Sequence, residues 1–265
     1  HYGLDFLGRL RGMFAFALLD ADGTLTLVRD RIGIKQVYVY RDEEKLVFAS
    51  EIKSILACPG VRRAVNPRAI DSYLTLLYPV GEETFFAGIE KLAPGHLLRV
   101  APDGRAESRS WWDFAPAENA IGYDEAVAEA TRRFHETMRF HMVSDVDVGC
   151  YLSGGMDSSA IIAEMTGLAR TRVRTYTVGT KRHPRLDESG YAAAVAERFG
   201  TEHHYIEQEP GDFLAFLERM IWHLDEPSAG PGSVPSFFIA RLAAESSKVI
   251  LSGTGGDEVL VGYPR

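Results

Sequence analysis

The sequence predicts an α/β protein in two parts, and three observations carry that prediction. Apolar residues recur with a period of two through most of the first 113 positions, the pattern of half-buried strands joined in hairpins. Beyond residue 122 the period lengthens to that of amphipathic helices, and short Val/Ile/Tyr-rich runs alternate with them, as in a parallel sheet covered by helices. Between the two lies Phe114-Ala-Pro-Ala-Glu-Asn-Ala-Ile-Gly122, short-side-chained and broken by Pro and Gly, which divides the chain into residues 1–115 and 116–265.

In the first part, residues 12–19 are almost continuously apolar and read as a buried strand. Asp20-Ala21-Asp22-Gly23 is a turn signal, and the alternating run 24–29 completes a hairpin. Residues 37–40 and 45–49 pair around a polar turn. A short helix follows Ser50, and another covers 67–77 with Asn66 as N-cap and Pro67 in its first turn. Residues 96–100 and 105–109 close a last hairpin, and Trp111 and Trp112 are expected in packing between the two parts. In the second part, apolar residues at 123, 127, 130, 134 and 138 make one stripe of a helix over 123–141. Strand 146–152 then leads to helix 158–168, and strand 173–178 to helix 188–199, closed by Gly200. Strand 203–206 leads to helices over 212–223 and 235–245, and strand 248–251 comes last. Asp187-Glu188 reads as a helix cap. His203 and His204, as strand neighbours, face opposite sides and cannot chelate one ion.

Composition sets the outer limits. The 265 residues are 46% hydrophobic and 25% charged, enough for a sizeable core, which excludes disordered and low-complexity chains. No apolar run approaches the ~18 residues a membrane span needs. A net charge of −8, from 29 basic and 37 acidic residues, argues against a general nucleic-acid binder while leaving room for a local anion pocket. The two cysteines, Cys58 and Cys150, make neither a disulfide framework nor a Cys-rich zinc site, which points to a reducing compartment, the cytoplasm. No signal segment opens the sequence, which begins at His1 without Met and stops after a Gly-rich loop. It reads as a piece of a longer protein.

Ligands of open parallel sheets bind beyond the carboxyl ends of the strands, so the loops there are the places to examine. The first is Ser153-Gly154-Gly155-Met156-Asp157-Ser158-Ser159, set between a strand and a helix. Its glycines let backbone N–H groups turn inward, and the helix N-terminus adds free donors and partial positive charge. Three hydroxyls can donate to phosphate oxygens. The Asp157 carboxylate makes sense beside phosphates if it holds Mg²⁺. Taken alone, the loop also fits a Gly-rich turn with Ser and Asp as caps. It is not a Walker A loop, because no Gly-Lys-Ser/Thr follows, and it lacks the third glycine of the dinucleotide fingerprint. The second loop, Ser252-Gly253-Thr254-Gly255-Gly256-Asp257-Glu258, also follows a strand. Two such loops with downstream acids, both at strand ends of one sheet, favour a site for a nucleotide with its magnesium ion.

With those two loops the sequence resembles the glutamine-dependent asparagine synthetases and their relatives. Residues 153–159 look like the pyrophosphate loop of ATP pyrophosphatases, and Ser252-Gly253-x-Gly255-x-Asp257-Glu258 looks like that family's second synthetase loop. The similarity extends through Gly200-Thr-Glu-His-His204, Leu224-Asp225-Glu226-Pro227 and Pro235-Ser-Phe-Phe-Ile-Ala-Arg241. In the first part, Leu10-Arg-Gly-Met-Phe-Ala-Phe-Ala17, Arg29-Asp-Arg-Ile-Gly-Ile-Lys35, Ala49-Ser-Glu-Ile-Lys53 and Leu92-Ala-Pro-Gly-His96 resemble the later part of the glutaminase domain. The resemblance implies a parallel-sheet, adenine-nucleotide α-hydrolase-like synthetase domain preceded by part of an αββα N-terminal-nucleophile glutaminase domain.

It also implies a ligase of asparagine biosynthesis. ATP would activate the aspartate side-chain carboxylate as an acyl-adenylate, and ammonia derived from glutamine would displace AMP. Leu152, Val178, Ser252 and Gly253 would contact adenosine, and Ser153, Gly154, Gly155, Ser158 and Ser159 the pyrophosphate. Asp157 and Asp257 would hold Mg²⁺ and pyrophosphate, with Thr254 and Glu258 as further candidate catalytic positions. The implied partners are small molecules, with no nucleic acid and no membrane, and a homodimer is left open. The family's N-terminal Cys nucleophile is not in this sequence, and Cys58 and Cys150 stand in the wrong places to replace it, so the chain as given is expected not to hydrolyse glutamine. Thr254 stands where many members carry Glu. The alternatives are an amide ligase for another carboxylate, β-lactam-forming or peptide-cyclising, and a nucleotide-binding module without catalysis.

Overall fold

The computed structural model describes residues 3–115, 120–180, 187–209, 211–228, 232–260 and 262. Four positions of the boundary stretch (116–119), as well as His1 and residues 263–265, therefore lie outside the described residues. The chain forms two compact units, the first of residues 1–118 with 221–230, the second of 119–220 with 231–265.

The first unit opens with a 3₁₀ turn over Gly3–Arg9, followed by strands β1 (Ala15–Leu19), β2 (Leu25–Arg29), β3 (Tyr38–Arg41) and β4 (Leu46–Ala49). Helices α1 (Ile52–Leu56) and α2 (Pro67–Leu76) precede β5 (Ile89–Lys91), β6 (His96–Val100) and β7 (Ala106–Ser110). Two antiparallel sheets result, ordered β1-β2-β6-β7 and β4-β3-β5. Asn66 caps α2 by accepting from the Arg68 N–H, as Asn-Pro at a helix start dictates. The expected buried strand over 12–19 is corrected. β1 begins only at Ala15 and is an edge strand with one neighbour, so its last residues are exposed, Leu19 to 74%. The three-residue β5 carries too little pattern for the sequence to mark it.

Two features of this unit follow from charge burial. The Asp30 carboxylate, 1% exposed, accepts from the N–H groups of Phe14, Ile34 and Lys35. The neighbouring Arg29 guanidinium donates to the carbonyls of Gly33, Lys35 and Leu92 and to Gln36 Oε1. Gly33 has φ +71°, and a Cβ there would sit 2.8 Å from the guanidinium carbon, so only glycine fits. The Arg29–Lys35 motif is therefore a satisfied polar knot that ties β2 to the following loop. Trp111 is also corrected: it packs inside the first unit, stacked on Phe14 at 5.9 Å and donating from Nε1 to the Arg29 carbonyl.

The second unit begins with α3 (Tyr123–His141), then β8 (Val148–Tyr151), α4 (Met156–Leu168), β9 (Arg174–Gly179), α5 (Ser189–Phe199) and β10 (Glu202–Glu207). It continues through α6 (Asp212–Leu224), whose last turn groups with the first unit, α7 (Ser233–Ala244), β11 (Val249–Leu251) and α8 (Gly256–Leu260). All strands pair in parallel, in the order β10-β9-β8-β11. The chain winds outward from β8 through β9 to β10, then returns to place β11 on the other side of β8. That reversal makes the gap between β8 and β11 a topological switch point. Ile162 and Met165 of α4 and Ala192 of α5, all fully buried, join Cys150 and Leu152 in the core. Each buried aliphatic side chain of this size contributes ~1.5–3 kcal/mol. Gly149 is needed in β8 because a Cβ would press within 2.9 Å of both Ile250 and the Tyr176 ring. The Cys150 thiol is fully buried, and burial pushes it up to about 12, which fits a structural thiol. Among the described residues, no helix is long and apolar enough to cross a membrane.

Candidate active site

A cavity of about 630 Å³ opens beyond the carboxyl ends of β8, β9 and β11. The loop after β8 supplies Leu152, Ser153, Gly155, Met156, Asp157 and Ser158, and β9 supplies Val178. The loop after β11 supplies Ser252, Gly253, Thr254, Asp257 and Glu258. Of the residues expected from the sequence, only Gly154 and Ser159 are not on the wall.

The first loop is held by its own polar atoms. Ser158 Oγ lies 3.1 Å from Ser153 Oγ and donates to the Gly155 carbonyl at 3.2 Å, while the Gly155 N–H donates to Ser153 Oγ. Ser159 Oγ donates back to the same carbonyl at 2.7 Å, an i−4 bond that keeps it against its own helix. Leu152 is fixed to β9 at both backbone groups: its N–H donates to the Tyr176 carbonyl, and its carbonyl accepts from the Thr177 hydroxyl. Gly154 is obligatory twice over. Its φ is +83°, and a Cβ would meet the backbone N of Ala192 at 2.6 Å, so the loop passes directly over the first turn of α5. α4 starts at Met156, two positions before the sequence expectation, which puts Asp157 in its first turn.

The second loop meets the first at Asp157. A Cβ on Gly253 would lie 3.2 Å from Asp157 Cβ, and one on Gly256 would collide with the Asp157 carboxylate. Ser252 Oγ donates to Thr254 Oγ1 at 3.1 Å. Glu258 Oε2 accepts from the Gly255 N–H at 2.9 Å, the reach-back of a capping box at the start of α8.

Asp157, Glu188, Asp257 and Glu258 are the only charged residues among the described lining, and all are acidic. A polyphosphate there would meet hydroxyls and backbone N–H groups, with like charge close by. Among the described residues no three His, Cys, Asp or Glu gather into a closed metal cage. Two carboxylates, Asp157 and Asp257, are the donor set Mg²⁺ takes when phosphate oxygens and water complete its shell, so the residues present fit that ion. The wall also holds residues that sequence reasoning missed: Glu188 at the N-cap of α5, and Gly232, Pro235, Ser236 and Ile239 around the start of α7. Asp187 performs the expected capping, accepting from Ser189 N–H and Oγ–H, while Glu188 makes no side-chain cap bond. Nothing in local pattern marks a cap residue as a cavity residue.

The other tempting residues stay structural. His203 Nδ1 pairs with Thr175 Oγ1 at 3.0 Å, whereas His204 stacks on Tyr176 and meets Glu202, so the two rings do face opposite sides.

The family model described as Asparagine synthase matches residues 129–265, more than half of the chain. The chain belongs to the asparagine synthase family. Within that family's frame, both Gly-rich loops and the whole cavity wall fall inside the matched region. A second model, Glutamine amidotransferase domain, matches residues 1–112. Among curated relatives, a putative glutamine-hydrolysing asparagine synthetase of Mycobacterium tuberculosis is 37% identical over 99% of this chain and 41% of its own length. Asparagine synthetase 1 of Bacillus subtilis is 31% identical over the same shares. A protein named amidase chyE, from Penicillium rubens, is also 31% identical over 99% of this chain and 41% of its own. This asparagine synthase family chain thus spans about two-fifths of the length of these relatives.

Proposed function

We propose that the protein carrying this chain is an ATP-dependent amide ligase that makes asparagine from aspartate, with ammonia taken from glutamine. Residues 1–115 belong, in this reading, to a glutaminase domain and 116–265 to the ATP-binding synthetase domain. The observation that carries it is the convergence of two Gly-rich strand-end loops on one cavity at the switch point, with Asp157 packed against Gly253 and Gly256.

The aspartate side-chain carboxylate attacks the α-phosphorus of ATP, the bond to the bridging α–β oxygen breaks, and pyrophosphate leaves. Ammonia then attacks the acyl carbon, AMP departs with the C–O bonding pair, and the nitrogen loses a proton. Ser153, Ser158 and the N–H groups opening α4 hold the pyrophosphate, positioned before the reaction by the Ser153–Ser158–Gly155 bonds. Gly154 and Ser159 shape that loop from behind it. Leu152, Val178, Ser252 and Gly253 hold the adenosine. Asp157 and Asp257 hold Mg²⁺, which when bound supplies positive charge against the departing pyrophosphate. Glu258 keeps the second loop in shape through Gly255, and Thr254 faces the step in which ammonia adds. The two free thiols fit a cytoplasmic location.

The test is calorimetric titration with Mg-ATP, then pyrophosphate release with aspartate and ammonium. Binding without aspartate-dependent release moves the reading to a second one, favoured by the amidase-named relative and by Thr254: the same ligase chemistry on a different carboxylate. No Mg-ATP binding at all refutes both.

A further inference from the structure

Of the four carboxylates on the described cavity wall, three already have a place. Asp157 rests against Gly253 and Gly256, Asp257 shares the proposed Mg²⁺ with it, and Glu258 accepts from the Gly255 N–H. Glu188 has none. Among the described residues nothing donates to its carboxylate, which is left exposed on the wall. Its backbone, by contrast, is fixed from both sides. The preceding Asp187 accepts at Oδ1 from the Thr180 N–H at 3.3 Å, just beyond Val178, and at Oδ2 from the Ser189 hydroxyl at 2.9 Å. The Glu188 carbonyl accepts from the N–H groups of Tyr191 and Ala192 at 3.0 and 3.2 Å. The first loop passes over those same residues, where a Cβ on Gly154 would lie 2.5 Å from Tyr191 Cβ and 2.6 Å from the Ala192 nitrogen.

Glu188 therefore stands between the end of β9 and the first loop. Because β8 lies between β9 and β11, it is on the other flank of that loop from Asp257. It does not join Asp157 and Asp257 in a three-acid cage. A nucleotide with its base at Val178 and its phosphates on Ser153 and Ser158 carries its ribose between the two, past Glu188. A carboxylate only accepts, repels phosphate, and can take both hydroxyls of a vicinal diol with its two oxygens. We propose that Glu188 is the specificity-determining residue for the sugar. Its carboxylate accepts from the ribose 2′- and 3′-hydroxyls, so the cavity selects ribonucleotides over deoxynucleotides. The inference rests on reading that cavity as an ATP site.

The experiment titrates the intact protein, Glu188→Ala and Glu188→Gln calorimetrically with the Mg²⁺ complexes of ATP, 2′-deoxy-ATP and 2′,3′-dideoxy-ATP. The readout is the ratio of dissociation constants within each protein, which cancels any general gain from removing a negative charge near phosphates. The wild type should hold ATP about tenfold more tightly than the dideoxy analogue, as hydrogen bonds to a charged acceptor imply, with the 2′-deoxy analogue between. In Glu188→Ala the ratio should fall to about twofold or less, since no acceptor is left to miss the hydroxyls. Glu188→Gln keeps a carbonyl oxygen and should fall between, and it serves alone if the alanine variant does not fold. A purely structural role would lower the unfolding midpoint and the binding stoichiometry and leave the ratio at its wild-type value. Undiminished discrimination in Glu188→Ala overturns the inference, as does a wild type that binds all three nucleotides equally. A raised aspartate KM for pyrophosphate release with an unchanged ratio also overturns it, and gives the carboxylate to the acceptor's ammonium group. A wild type that binds none of the three refutes the nucleotide reading itself.

Discussion

The Asp157 side chain of the loop after β8 rests against Gly256 of the loop after β11, where any side chain on residue 256 would run into the carboxylate. This contact joins two segments almost a hundred residues apart, and it makes the second loop part of the geometry of the first. Gly256→Ala tests it cleanly. The substitution should leave overall stability little changed, the preference of a helix for Ala over Gly (up to ~1 kcal/mol) being offset by the shift its Cβ forces on the Asp157 carboxylate. It should also weaken Mg-ATP binding about tenfold, or ~1.4 kcal/mol, by displacing Asp157. Parallel denaturation and calorimetry would separate the two effects.

A wall whose described charges are all acidic would make a nucleotide bound there depend on its cation. Chelating Mg²⁺ with EDTA should abolish ATP binding by the wild type. In Asp157→Asn, pyrophosphate release should fall ~10²–10³-fold, the usual loss when one electrostatic stabiliser is removed. Its metal-free ATP binding should be no weaker than that of the wild type, because a repelling charge is gone. Full activity of Asp157→Asn at low Mg²⁺ would remove the residue from the metal site.

Thr254 cannot act as a base near neutral pH, and Glu258, a carboxylate four positions on, is already bonded to the Gly255 N–H. Asparagine formation at saturating ammonium should therefore rise in Thr254→Glu, within the ~10²–10⁴-fold range of general acid–base help. Pyrophosphate release should change little. Equal rates of asparagine formation in both proteins would make Thr254 a neutral variation.

Burial, with a smaller contribution from the neighbouring His204, pulls His203 below its ordinary value of 6.5. The unfolded chain then binds the proton first as pH falls, so unfolding is favoured by acid in this window. Stability should be level above about pH 7 and should decline from about pH 6.5 downward until the folded-state value is passed. His203→Gln should flatten this slope. Denaturant titrations between pH 7.5 and 5 would detect it, and identical slopes in the two proteins would deny His203 the role.

Local chemistry made much of this protein readable in one dimension. Asn66-Pro67 fixes a helix start and Gly200 a helix end, here with φ +64°. The Gly-rich loops stand out as a pair, because two Ser-Gly loops with downstream acids at strand ends of one sheet are far more specific than either loop alone. The short β5 and the exposure of β1 were not readable, since each depends on which neighbour a strand finds.

Sequence alone marked most elements of the second unit, though not α8, and the two Gly-rich loops, because hydrophobic period, caps and glycine spacing act within a few residues of one another, whereas Leu152, Val178, Ser252 and Gly253 follow from the family resemblance. Only the tertiary structure decided that β11 lies beside β8 instead of beyond β10. That choice is made by burial of whole faces, such as Ile250 and Tyr176 closing over Gly149, and it leaves no local trace. The same holds for Glu188, for the start of α7, and for Asp225 capping a helix more than 170 positions earlier. Each is an ordinary residue in its own segment, and its role exists only because folding satisfied a distant donor or filled a distant wall.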